Sequence, residues 1–268
     1  MLWNMQSTEQ RYLLSGVGGA LAVVAGIVVL WMSPISPASL DHTAAQAAKG
    51  DTRGAVASYL KQSNSWTSDE RKGESLWRAA VLTHISLSDT AAAAALLEEL
   101  IERYPDHPRV VDAHARMALI HRQEDGDPVR AGMRWVAAAS IDPAHRDAGR
   151  WMLDAGLAFA DAGDLKHALS VLDVAASRPE QAVAARLAQG RLHLKTDPAQ
   201  AYSDYDAAFR DGAEGEARRL AKLGMATALE YLDRREQALA ELDEVVEDGK
   251  ADAALQRRRK RLQARRGP

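Results

Sequence analysis

Residues 151–179 read WMLDAGLAFADAGDLKHALSVLDVAASRP, and this stretch decides the fold. Ala155, Gly156 and Phe159 share one face of a first helix, and Gly163-Asp164 makes a break. Ala168, Leu172 and Ala175 then share the facing side of a second helix, and Pro179 marks its end. Small residues at 155, 156, 168 and 175 let the two helices approach closely, while Phe159 and Leu172 fill the volume between them. The same spacing recurs. The small residue that opens each second helix falls at Ala55, Ala93, Ala131, Ala168, Ala201 and Ala238, giving steps of 38, 38, 37, 33 and 37 residues. Steps of that size belong to an array of helical hairpins. One copy places Trp77, Ala80, Val81 and His84 on its first helix, with Ala93, Leu97, Leu100 and the terminator Pro105 after it. The next repeats these offsets with Ala115, Ala118, Leu119, Gly126, Ala131, Trp135, Ala138 and Pro143.

This pattern resembles the tetratricopeptide repeat (TPR), over roughly residues 40 to 250. Steps above the usual TPR length also fit the related Sel1-like repeat. Lys222 departs from the pattern, standing where a large apolar residue is expected, and KTDPAQ shortens the loop before Ala201. The fold class expected is all-α: one transmembrane helix, an α-solenoid of about six TPR-like hairpins, and a C-terminal capping helix. The resemblance implies a concave groove walled by the first helix of each pair, which takes up segments of other proteins. By TPR spacing its inward positions include Arg78, Leu82, Arg116, Ile120, Arg150, Leu153, Leu157, Leu223, Thr227 and Tyr231. The arginines suit carboxylates or backbone carbonyls of a peptide and the aliphatics its apolar side chains.

Composition agrees with stacked hairpins. The 268 residues are 47 % hydrophobic but only 5 % aromatic, too few bulky rings for one large globular core. Cysteine is absent, which excludes disulfides, thiolate catalysis, thiolate metal sites and a cysteine-linked lipid anchor. The net charge of -3 hides an asymmetry: residues 250–268 carry +7, leaving -10 on residues 1–249.

Five segments follow along the chain: a short cytoplasmic tail (1–11), a transmembrane helix (12–32), a Pro/Ser linker (33–39), the repeat domain (40–249) and a basic capping helix with tail (250–268). Tyr12 to Met32 are 21 residues without a charge, about 31 Å as a helix, enough to span the hydrocarbon of a bilayer. A cleaved signal peptide would have a shorter apolar run and more basic charge before it. Ser15/Gly19, Gly16/Ala20 and Ala22/Gly26 would seat a second transmembrane helix. Arg11 and the amino terminus precede the span, whereas residues 33–48 contain no Lys or Arg. This bias places the N-terminus in the cytoplasm and the repeats in the periplasm of a bacterium, on the inner membrane.

A first, partial hairpin is expected from about Asp41, a helix start with Ser68 three residues before Arg71, and a last hairpin over about 214–247. A final helix from Lys250 carries Ala251, Ala254, Leu255 and Leu262 on one stripe.

No catalytic constellation stands out, so the chain is expected not to be an enzyme and to need no cofactor or metal. Gly16, Gly18 and Gly19 lie inside the membrane span and lack the Lys-Ser/Thr of a phosphate loop. His107, His114 and His121 recur every seven residues, about 10.5 Å apart along a helix, too far to chelate one ion. Glu98-Glu99-Glu102 and Glu241-Asp243-Glu244 read as solvated helix faces. The terminal RRRKRLQARR reads as a solvated cap with a lipid or partner contact. No nucleic acid is expected, because no aromatic residue interleaves with the arginines. The layout is similar to translocon-associated periplasmic TPR proteins, which implies a membrane-anchored scaffold assisting export or envelope assembly. The alternatives are similarity to the apocytochrome-holding TPR modules of cytochrome c maturation, or a non-catalytic accessory subunit of a membrane enzyme.

Overall fold

The structure, a computed structural model, describes residues 38–65, 67–247 and 253–264. Every regular element among these is a helix: α1 (Ala38–Ala48), α2 (Thr52–Ser63), α3 (Asp69–Ile85), α4 (Thr90–Arg103), α5 (Arg109–Gln123), α6 (Pro128–Ile141), α7 (Ala148–Asp161), α8 (Leu165–Ala176), α9 (Pro179–His193), α10 (Pro198–Arg210), α11 (Gly215–Tyr231), α12 (Arg235–Glu247) and α13 (Ala253–Ala264). They divide between two compact units, residues 1–93 and 94–268, with the boundary inside α4. The transmembrane helix expected over 12–32 lies outside the described residues. Among those described, no helix is long and apolar enough to cross a membrane.

A local rule starts the second helices. Asp51, Asp89, Asp127, Asp164 and Asp197 each accept a backbone N–H three residues on, at 3.0 to 3.2 Å, capping α2, α4, α6, α8 and α10. Four residues after each aspartate comes the aligned alanine. Ala55, Ala93, Ala131, Ala168, Ala201 and Ala238 are all 0 % exposed, so each sits where the helices touch most closely. The sixth hairpin keeps its alanine but loses its aspartate cap, with Arg234 at that position. Ser68 caps α3 through the N–H of Arg71, as its position predicts. Pro179 does not end α8. That helix is closed by Ser177, and Pro179 occupies the first turn of α9, where its missing N–H costs nothing.

In the unit of residues 1–93, α2 packs against α1 and α3, with Tyr59 buried beneath the Leu40 carbonyl. In the other unit each helix from α5 to α13 packs on the next. Its core alternates rings with glycines. A Cβ on Gly156 would lie 2.6 Å from Leu172 Cγ, so only glycine lets α7 and α8 close on this leucine. Phe159 faces Gly132 in the same way, and the Tyr205 ring is held between Gly190 of α9 and Gly224 of α11. Burying a side chain such as Leu172 contributes about 2 kcal/mol, and close packing makes such sites intolerant of volume changes.

Lys222 is buried among apolar neighbours, yet it is satisfied. Its Nζ reaches Glu241 at 2.8 Å and Glu244 at 3.0 Å and lies 4.6 Å from the centre of the Phe209 ring, tying α10, α11 and α12 together. Burial pulls its pKa down, but the hydrogen bonds it donates to the two glutamates outweigh this, and the net shift is upward. Glu241 is therefore no solvated face residue, whereas Glu98 keeps 38 % of its side chain exposed while both of its carboxylate oxygens accept from Nη2 of Arg134. In α13, Leu255 and Leu262 are buried as expected. Ala254 is exposed rather than on their stripe, because it stands about 100° from Leu255. Ala251 lies outside the described residues.

Candidate protein-binding face

The first helices of the hairpins supply the side chains. In the unit of residues 1–93, Arg78 and Leu82 occupy the half-buried side of α3. The Arg78 guanidinium donates to Glu74 at 2.7 Å. Burial depresses its pKa, but hydrogen bonds with Glu74 and Tyr59 more than compensate and raise it. Arg78 is thus already engaged by its own helix and by α2.

In the unit of residues 94–268, α9 packs against both α7 and α11, so three first helices form one layer. Arg122 of α5 joins Asp161 of α7 at 2.8 Å. On α7, Leu153 and Leu157 are half-buried, resting on Leu172, Ala175, Ala185 and their neighbours while leaving one side open. Arg150 lies one turn before them, its side chain 69 % exposed and its Nε 3.7 Å from Asp154. Asp154, between the two leucines, was not singled out from sequence. Burial raises its pKa, against the opposing pull of Arg150 and Arg122. Its only sequence signal is the i,i+4 relation to Arg150.

Other positions fare differently. Ile120 is 1 % exposed and belongs to the core, leaving no surface for a ligand. Its neighbour Leu119 is 39 % exposed and takes the outward place. The cause is a loop: residues 124–127 separate α5 from α6, whereas only 162–164 separate α7 from α8. Counting back the same offset from the aligned alanine therefore stops one residue short, at Ile120 rather than Leu119, a rotation of about 100°. Arg116 is half-buried, its pKa pushed down by burial and partly restored by Asp112. On α11, Leu223 packs on the cluster around Leu242. Thr227 accepts a hydrogen bond from Arg258 at 2.8 Å, which places it beneath α13. Tyr231 is 56 % exposed.

The three regularly spaced histidines take separate partners. His107 accepts from the Arg109 N–H, His121 lies 2.7 Å from Asp125, and His114 sits 3.4 Å from Arg134. Burial, then Arg134, holds the His114 pKa below its usual value, with Glu98 opposing. Among the described residues, no three His, Cys, Asp or Glu side chains converge as metal ligands would.

Residues 74–155 match a family described as a protein of unknown function (DUF2379). Comparison with curated proteins gives no match. Among solved structures, the chain is similar to PilW, a widely conserved type IV pilus biogenesis factor, at 14 % identity and TM-score 0.49, covering 84 % of this chain and 98 % of that one. It is similar to TTC0263, a thermophilic TPR protein of Thermus thermophilus, at 20 % identity and TM-score 0.39, covering 72 % and 99 %. It is also similar to the TPR domain of P58(IPK), at 17 % identity and TM-score 0.39, covering 84 % and 64 %.

Proposed function

We propose that the chain is a membrane-tethered helical-repeat scaffold without catalytic activity, binding segments of other proteins on the open side of α5, α7 and α9. Asp154 carries this reading. This carboxylate lies between two half-buried leucines, 32 % exposed and with Arg150 at 3.7 Å, and burial raises its pKa against the pull of that arginine. Perturbed groups of this kind concentrate where a ligand binds. The flanking leucines would hold apolar side chains of the segment, and the exposed Arg150 would hold a carboxylate or backbone carbonyl.

The tether and its direction rest on sequence: 21 uncharged residues from Tyr12 to Met32, with Arg11 before them and no Lys or Arg over 33–48. On this reading the N-terminus is cytoplasmic and the repeats are periplasmic, at the inner membrane, where they serve export or envelope assembly. Alkaline phosphatase and a cytoplasmic fluorescent reporter, each fused after residue 268, test the direction. Phosphatase activity supports it, and fluorescence without phosphatase activity contradicts it.

A photo-crosslinking residue at Leu153, with Val174 as the control position, tests the binding face in intact cells. Adducts to one other protein from Leu153 alone support the proposal. Adducts from Val174 alone, or from neither position, refute it.

A further inference from the structure

The last helix divides its cations between two jobs. Arg258 faces inward, donating to Glu230 at 2.7 Å and to Thr227 at 2.8 Å, and Arg259 pairs with Asp243. With Leu255 and Leu262 buried on the same side, these contacts fix the roll of α13. Arg257, Lys260 and Arg261 are thereby turned outward. All three are exposed, and together with Ala254 they line a shallow recess. Their spacing of i, i+3 and i+4 puts their heads on one face. Among the described residues, no carboxylate pairs with any of them.

We infer that this face of α13 docks on the anionic headgroups of the membrane that carries the chain, an inference that rests on the tether proposed above. Three features select a headgroup plane over other occupants. The face presents clustered cations and no large apolar or aromatic side chain, so it can neither hold an apolar peptide nor stack on bases. Residues 1–249 carry -10 against +7 for 250–268. An anionic surface therefore repels the body and attracts only this end, which orients the chain. Each cation near such a surface strengthens partitioning only about fivefold. Three are too few to hold a free acidic peptide tightly, but they suffice where the tether already supplies the lipid.

The absence of cysteine permits a direct test. The full-length chain carrying Gln256→Cys, labelled with a donor fluorophore, is reconstituted into vesicles with an acceptor on the lipid headgroups. Energy transfer should rise when about one-third of the neutral phosphatidylcholine is replaced by phosphatidylglycerol. It should return to the neutral level in about 1 M salt, where screening is nearly complete. The triple substitution Arg257→Gln, Lys260→Gln, Arg261→Gln should stay at the neutral level throughout. Equal transfer in neutral and anionic vesicles, or a triple variant that responds like the parent, overturns the inference. Binding of an oligoglutamate peptide in preference to phosphatidylglycerol vesicles also overturns it. Co-sedimentation with purely neutral vesicles reads the tether separately. Its loss defeats the tether and, with it, docking on the membrane that carries the chain, whereas its retention without the phosphatidylglycerol response defeats the docking alone.

Discussion

Substituting Gly224 by alanine loads the tightest point of the α9–α10–α11 packing. The added Cβ would lie 2.5 Å from Cε1 and Cζ of Tyr205 and 2.6 Å from Cδ1, about 1 Å inside ordinary contact. The ring cannot retreat, because a Cβ at Gly190 on the opposite side would already stand 2.9 Å from it. Overpacking of this kind costs up to about 3 kcal/mol. Alanine recovers about 1 kcal/mol of helix propensity, so the expected net loss is about 2 kcal/mol. Gly149 is the matched control, since its Cβ would meet only the bendable side chains of Arg178 and Gln181, at 3.1 and 3.3 Å. Gly149→Ala should leave stability within about 0.5 kcal/mol of the parent, on the favourable side. Urea unfolding followed by far-ultraviolet circular dichroism measures both. Adding Tyr205→Leu to Gly224→Ala should recover at least about 1 kcal/mol relative to additivity. A Gly224→Ala protein as stable as Gly149→Ala would refute the packing argument.

Three further outcomes follow from the same structure. Burial pushes the Tyr205 hydroxyl up to about 12 from its usual 10.0. The folded state thus keeps a neutral phenol that the unfolded chain ionises, so stability is intact below pH 10 and falls by about 3 kcal/mol as pH rises from 10 to beyond 12. Tyr205→Phe should flatten this decline, as read by urea midpoints across that range. At Asp154 the raised pKa means the folded state disfavours the charged form. Asp154→Asn should therefore raise the melting temperature at pH 7, with the gain vanishing below the ordinary carboxylate value of 3.8, where both states are neutral. Lys222→Ala leaves Glu241 half-buried without its cation and should destabilise by about 2 kcal/mol. The double substitution Lys222→Leu, Glu241→Leu should come back close to the parent in the same urea titration, because apolar packing can replace a buried ion pair.

The helical hairpins were legible because their cause is local. An alanine four residues after a capping aspartate serves both the helix start and the closest helix contact, so one short spacing reports both. The outward side of each first helix was less legible, since it depends on the length of the following loop. One extra residue between α5 and α6 was enough to exchange Ile120 for Leu119. Pairs such as Lys222 with Glu241, or Arg134 with Glu98, escaped because their partners lie on other helices. Residues that looked like solvated charge or a broken pattern became satisfied polar contacts. Asp154 was hidden for the same reason: its raised pKa comes from the packing around it and not from its neighbours in sequence.

Hydrogen exchange across the face of α7 tests the proposed function most directly. Once the partner of Leu153 is identified by crosslinking, amide exchange is compared with and without the crosslinked segment of that partner. Slower exchange confined to α5, α7 and α9, and abolished by Leu153→Asp with the urea midpoint unchanged, is the result expected. Protection centred on α6 and α8, or unaffected by Leu153→Asp, would contradict it.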